Sequence, residues 1–285
     1  MYIEKRNSIL RIESDADLDS WKSKALSFLR QEEGLNNLFW QIIKMREKSF
    51  KKGWAGNVLD REEVVLSAIH TGSNFLLFSH GSLDAVDVLA DYAKSEGWAL
   101  NGVSGPEKLV KQFLGSFMNS ENKLPSPSFR TFKIFQTVEF KNKFNLPTYQ
   151  FGPVQNIDWP RARIWSQQFA TEANPPMDPN AMTQMAKKMY SEKKLFMLTD
   201  TENHPCAIAG FGRSTDRYLI INMVYVPDEL RGQGIAKKLI FQMTKLSRQL
   251  GYEGCLLFSD WTGDGNLYQT MGCEYIGDFM EYDLG

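Results

Sequence analysis

The chain has 285 residues, 42% of them hydrophobic and 24% charged, with a formal net charge of −1. That length exceeds the usual single core and points to two domains, and basic residues scattered among a near-equal number of acidic ones disfavour nucleic acid and anionic membranes as partners. Met1 to Arg11 mixes polar and charged residues, no apolar run approaches membrane-spanning length, and Cys206, Cys255 and Cys273 form no C-x-x-C pair, so a cytosolic protein with reduced thiols and neither disulfide nor metal site is expected.

In chain order, Asp15 to Lys52 reads as helical, with Leu18, Trp21, Ala25, Phe28 and Leu29 on one apolar face, a break at Gly34 and a second helix through Trp40 and Met45. Val64–Ile69 and Phe75–Phe78 read as paired strands across Thr71 to Asn74. A helix over Leu83–Glu96, a strand near Ala99–Val103 and a helix opened by Gly105-Pro106 follow. Prolines 147, 153 and 160 among polar residues mark a linker over Lys141–Pro160, which sets the expected domains at 1–147 and 148–285.

Beyond the linker the pattern predicts helices over Arg161–Ala173 and Asn180–Glu192, strands over Leu195–Thr199, Pro205–Arg213 and Tyr218–Val226, and a helix over Lys237–Leu250. A strand over Gly254–Ser259, a short helix over Asn266–Met271 and a last strand over Cys273–Leu284 close the chain. Met177, Met182, Met185 and Met189 fall on one side of the second of these helices, either as core packing or as one wall of an acceptor pocket.

The most informative stretch is Val224 to Ala236, V-Y-V-P-D-E-L-R-G-Q-G-I-A, where an apolar strand breaks at proline and passes through a glycine-rich loop into a helix. Gly232 and Gly234 let the backbone turn tightly and bring N–H groups against phosphate oxygens, Arg231 adds a forked cationic donor, and the helix start offers free N–H groups to the same anion. A pyrophosphate is the expected ligand. A P-loop is excluded because Ile235 and Ala236 follow Gly234 where Lys and Ser/Thr are needed. The dinucleotide fingerprint fails too, since Lys237 stands where its third glycine belongs.

Arg231-Gly232-Gln233-Gly234-Ile235-Ala236 fits [QR]-x-x-G-x-[GA] and resembles the GNAT acetyltransferase superfamily. With Gly102 to Glu107, the second half is similar to two-domain bacterial members that have a degenerate amino-terminal domain and an FR47-like carboxy-terminal one. The resemblance implies a mixed α/β sheet in two acyl-CoA N-acyltransferase-like domains, the first degenerate and the second catalytic. It places acetyl-CoA on residues Arg231, Gly232, Gln233, Gly234, Ile235 and Ala236. It further implies that the strand before this loop splays from Gly254–Ser259, so that the backbone of Asn222 to Val226, including Val224 and Tyr225, meets the pantetheine arm and the thioester oxygen.

In these relatives a segment D-x-x-N-P-x-S-N-x-x-Y-x-x-x-G-[YF] ends the domain, and Asp260 to Cys273 matches it at Asn266, Tyr268 and Gly272 but not in its N-P-x-S portion or its final aromatic. Asn266 and Tyr268 thereby join the cofactor site, with Tyr268 donating to the coenzyme sulfur; on its own, without Asn266 and the upstream loop, Tyr268 reads as a core aromatic on a short helix. The first half echoes the order strand, turn, helix, strand, but Ser79-His80-Gly81-Ser82 lacks the paired glycines and arginine, so this copy is expected to bind no coenzyme.

The implied reaction is transfer of an acetyl group from acetyl-CoA to a primary amine by direct attack on the thioester. Asn222, Val224 and Val226 alternate onto one strand face without a carboxylate, which leaves Glu172, before the turn Asn174-Pro175-Pro176, as the candidate base; a helix-end carboxylate with no such role, or a relayed water, are the competing readings. His70, His80 and His204 lie apart and read as surface or strand-edge residues. A coenzyme-binding sensor that turns over weakly or not at all is the alternative function.

Overall fold

The computed structural model describes residues 10–15, 17–44, 53–73, 75–118, 128–137, 140, 148–261 and 265–285. The chain divides into two compact units, residues 1–131 with 277–285, and residues 132–276. The expected boundary at 147/148 abuts residues 141–147, and these, like Met45, lie outside the described residues.

The first unit runs β1 (Leu10–Ser14), α1 (Leu18–Leu29), a 3-10 turn at Arg30–Glu32, α2 (Asn37–Ile43), β2 (Trp54–Asp60), β3 (Glu63–His70), β4 (Phe75–Phe78), α3 (Leu83–Ser95), β5 (Gly102–Pro106) and α4 (Glu107–Phe117). Its strands lie in the order β1-β2-β3-β4-β5, antiparallel except for the parallel pair β4–β5 joined through α3. Asp17 caps α1 by accepting the Ser20 N–H at 2.7 Å, and Ser82 caps α3 through the Ala85 N–H at 3.2 Å. Val86, Leu89 and Ala93 of α3 and Leu109, Val110 and Phe113 of α4 pack on Leu66, Leu76, Phe78 and Val103.

Two sequence expectations shift here. Gly97, at φ +64°, ends α3 with the Trp98 N–H returning to Ala93 O at 3.0 Å. That closure takes up the residues before Gly102, so the strand expected near Ala99 starts three residues later, and Pro106 stands at the N-cap of α4 rather than in its first turn.

The second unit begins within β6 (Ser128–Gln136) and continues with β7 (Gln150–Pro153), α5 (Trp159–Glu172), α6 (Pro179–Ser191), β8 (Leu195–Thr199), β9 (Pro205–Ser214), β10 (Tyr218–Tyr225), a 3-10 turn at Asp228–Leu230, α7 (Ile235–Gln249), β11 (Gly254–Ser259), α8 (Leu267–Thr270) and β12 (Glu274–Asp283). Its sheet order is β6-β11-β10-β9-β8-β7, with β10–β11 the parallel pair across α7. From Gly277 onward β12 belongs to the first unit, where it pairs antiparallel with β5 from Phe279↔Pro106 to Asp283↔Gly102.

Ile235, Leu239, Ile240 and Met243 form the buried stripe of α7 and pack on Phe211, Leu219, Ile221 and Leu257. Each fully buried side chain such as Leu239 contributes about 2 to 3 kcal/mol. The other sheet face carries α5 and α6 through Ala162, Trp165, Ala170, Met182, Ala186 and Met189, against Met197, Ile208, Met223 and Tyr225. Met182 and Met189 are therefore core, Met177 is partly buried against the same cluster, and Met185 is exposed.

Candidate active site

β10 and β11 run together from Tyr218↔Gly254 to Ile221↔Leu257, and there the pairing stops although the strands continue to Tyr225 and Ser259. On its other edge β10 slips register against β9 between Asn222↔Gly210 and Tyr225↔Ile208, a bulge at which Met223 adopts φ +58°. The bulge breaks the side-chain alternation. Val224 and Val226 share the α7-side cluster with Ile221, whereas Met223 and Tyr225 pack on the α5 and α6 side. Asn222 precedes the slip and by alternation follows Tyr218 and Ile220, so the expected common face of Asn222, Val224 and Val226 is split. What the three residues Val224, Tyr225 and Val226 can offer a ligand is backbone, since the side chains of Tyr225 and Val226 are buried.

The loop after β10 has the conformation its glycines were expected to supply. Gly232 sits at φ +76° and Gly234 at φ +78°, both left-handed, and Gly234 is the N-cap of α7 with no side-chain cap. Ile235 is buried in the core, so it, Ala236 and Lys237 contribute their uncapped N–H groups at the helix start. Gln233 is exposed at the tip.

Arg231 is already engaged. Its Nε donates to Val226 O at 2.8 Å, Nη2 donates to Glu172 Oε2 at 2.5 Å, and Nη1 pairs with Asp228. The Tyr225 hydroxyl donates toward Glu172 Oε1 at 3.1 Å, with Gln168 Oε1 at 3.2 Å, and the guanidinium lies 5.6 Å from the Tyr225 ring centre. Burial and the hydrogen bond with Glu172 push the Tyr225 phenol up to about 12. Both Glu172 oxygens thus have protein partners, so the carboxylate expected as a base holds the arginine of the glycine-rich loop in this structure.

Asn266 is a cap. Its Oδ1 accepts the Tyr268 N–H at 2.8 Å, while Nδ2 donates to Ser259 Oγ at 2.8 Å and Trp261 O at 3.2 Å. This buried amide joins the end of β11 to the start of α8 and fixes where Tyr268 stands. The Tyr268 ring meets Phe135 edge-on at 5.5 Å, and its hydroxyl has no hydrogen-bond partner among the described residues. Burial first, then the neighbouring Cys273 and Asp260, raise its phenol above the ordinary tyrosine value, so it stays protonated at neutral pH.

Sequence reasoning passed over Asp260, whose Oδ2 accepts the Asn174 N–H at 3.1 Å. The only signal was its place at the head of the segment compared with the relatives, of which residues 262–264 lie outside the described residues. The end of α5 therefore reaches both strands that part: Glu172 holds Tyr225 and Arg231 beside β10, and Asn174 holds Asp260 beyond β11.

In the first unit the corresponding loop uses its first two N–H groups, and its serine at the helix cap, internally. The Ser79 N–H goes to Ser67 O at 2.9 Å, the His80 N–H to Asn36 Oδ1 at 3.0 Å and the Ala85 N–H to Ser82 Oγ. His80 is also stacked on Phe28, and His204 hydrogen-bonds Asp200 on an exposed turn.

A sequence profile described as "Acetyltransferase (GNAT) family" matches residues 159–272, which span α5 through α8. No curated protein matches significantly. Among solved structures, the chain is similar to a GCN5-related N-acetyltransferase from Sphaerobacter thermophilus, with TM-score 0.58, 12% identity, and coverage of 96% of this chain and 94% of the other. It is also similar to a GNAT-family acetyltransferase from Colwellia psychrerythraea, with TM-score 0.53, 12% identity and coverage of 96% and 100%. A tandem GNAT protein from the clavulanic acid biosynthesis pathway gives TM-score 0.50, 9% identity and coverage of 97% and 99%. At these identities the likeness is one of fold, and it extends over both units. The profile match from α5 to α8 marks residues 159–272 as a GNAT acetyltransferase domain, and with it the second unit is an acyltransferase.

Proposed function

We propose that the second unit moves an acetyl group from acetyl-CoA to a primary amine by direct attack on the thioester. The observation that carries this reading is the parting of β10 from β11 after Ile221↔Leu257, beside a loop whose two glycines are left-handed. The parted edge of β10 leaves backbone groups of Val224 to Val226 for the pantetheine arm, and Gly232 to Ala236 meet the pyrophosphate through N–H groups. The first unit, whose loop Ser79-His80-Gly81-Ser82 lacks the paired glycines and the arginine, takes no coenzyme, so the stoichiometry is one per chain.

At pH 7 a lysine-like amine pays roughly 5 kcal/mol to become neutral, which a desolvating site has to offset. As the amine nitrogen bonds to the carbonyl carbon and the C–S bond breaks, negative charge collects on sulfur, and Tyr268 hydrogen-bonds that sulfur. Its raised pKa favours a hydrogen bond over complete proton transfer, because a buried phenolate is the costlier anion. Three buried reduced cysteines go with a cytoplasmic location.

Release of free thiol from acetyl-CoA across a panel of primary amines tests the reading. Amine-dependent thiol with acetylated product supports it. Tight coenzyme binding without turnover on any amine would favour a coenzyme sensor, the reading to which the engagement of Glu172 by Arg231 lends weight.

A further inference from the structure

The end of α5 bridges the opening between β10 and β11, and it brings two carboxylates to that opening in different states. Glu172 is spent: one oxygen receives Arg231 and the other Tyr225. Asp260 is not. Its Oδ2 receives the Asn174 N–H, and among the described residues Oδ1 has no hydrogen-bond partner. Asp260 is exposed, so its carboxylate is open to solvent.

Its position is nonetheless fixed. The residues on either side, Ser259 and Trp261, are both bound by the Asn266 amide, the Trp261 N–H returns to Ser259 Oγ at 3.2 Å, and the same Asn266 holds the Tyr268 N–H. One buried side chain therefore ties Asp260 to the residue assigned to the departing sulfur. Trp261, with 61% of its surface exposed, lies next in the chain.

We propose that Asp260 is the acceptor-binding residue, with Oδ1 receiving the ammonium of a primary monoamine whose apolar body lies on Trp261. This rests on the acyl-transfer reading, and it deepens it by naming the acceptor's class. A carboxylate held by one oxygen and open at the other suits a single N⁺–H donor. An amine with an aryl or alkyl body fits better than a polyamine, because both oxygens of Glu172, the second carboxylate at this opening, already accept from Arg231 and Tyr225. Once docked, the amine loses its proton to water as it leaves the carboxylate for the thioester, so Asp260 sets affinity rather than rate.

The experiment titrates phenethylamine into protein saturated with CoA, which cannot react, and reads binding by calorimetry for the wild type and for Asp260→Asn. Phenethyl alcohol, of the same shape without charge, is the control. The expected result is that Asp260→Asn weakens phenethylamine by about ten- to hundredfold while the alcohol binds both proteins equally. Asp260→Ser, which also leaves an acceptor for Asn174, gives the same reading should the Asn variant not fold. Phenethylamine binding both proteins alike, or neither, overturns the proposal. CoA binding is measured first, and its absence in the wild type marks failure of the acyl-transfer reading rather than of the acceptor assignment alone.

Discussion

Glu172 and Arg231, 59 residues apart in the chain, share a hydrogen bond of 2.5 Å that joins the end of α5 to the loop before α7. Both side chains remain more than 40% exposed, so the pair contributes no more than about 1 kcal/mol to stability. Its larger effect is on charge, because Glu172 and Asp228 together more than neutralise the one arginine of the loop. Glu172→Gln is expected to leave the fold intact and to tighten acetyl-CoA about two- to tenfold, by removing an anion beside the pyrophosphate. Calorimetry checks this, and a weaker affinity would mean that Glu172 orients Arg231 for the phosphate. The rate should change by less than about tenfold, since both carboxylate oxygens are already engaged; a fall of several thousandfold would restore Glu172 as the base.

Gly234 and Gly232 separate two effects of a glycine. Neither is free to take a branched residue without strain, because both have positive φ. Around Gly232 an added Cβ meets nothing within 4 Å, so Gly232→Ala should cost only the backbone strain, about 1 to 2 kcal/mol of stability. Gly234→Val sets a branched side chain at the helix start, where phosphate oxygens would lie, and should sharply weaken acetyl-CoA. Equal coenzyme affinity in a folded Gly234→Val protein would remove the pyrophosphate assignment.

Tyr268→Phe keeps the ring on Phe135 and removes only the hydroxyl. With a working acceptor it should lower kcat by about ten- to a thousandfold, equivalent to roughly 1.5 to 4 kcal/mol, and leave coenzyme affinity nearly unchanged. Because the phenol is held above its ordinary value, the wild-type rate should not decline on this account up to about pH 10. An unchanged rate in the Phe variant would make Tyr268 a packing residue.

His80 makes the first unit acid-sensitive. Burial lowers its pKa from 6.5 to about 4, and Nδ1 lies 2.8 Å from the Asn36 amide, whose nitrogen also donates to Leu29 O. The unfolded chain takes up a proton below pH 6.5 that the folded one refuses until about pH 4. Stability present above pH 6.5 is therefore lost as pH falls through that window, on the order of 2 to 3 kcal/mol. Urea titrations from pH 7 to 4 should show this slope for the wild type and a shallower one for His80→Gln.

What was legible in the sequence follows from how local each signal is. The helices of the second unit and the strands β8 to β11 came out within a few residues, because their apolar periods are long and their turns carry glycine or proline. β7 is four residues ending in a proline, and its proline read as linker instead of as an edge strand. β1, β2 and β6 were not identified: β2 carries Gly56 and Asn57 inside a buried strand, and β6 finds its partners on β11 more than a hundred residues on. At the site, the glycines announced their conformation, since only backbone geometry was at stake. The pairing of Arg231 with Glu172 and of Asn174 with Asp260 depends on the third dimension, and no spacing encodes it.

The last strand has a consequence for how the protein is made. β5 pairs with residues 279–283, and Gly277, where the chain leaves the second unit, sits at φ +154° with an added Cβ only 2.7 Å from Leu35. Translation delivers the first unit's helices and five of its strands early and the strand that pairs with β5 only after every residue of the second unit has been synthesised. Until then β5 waits with one edge bare, so the part of the chain that is born first is the part that is finished last.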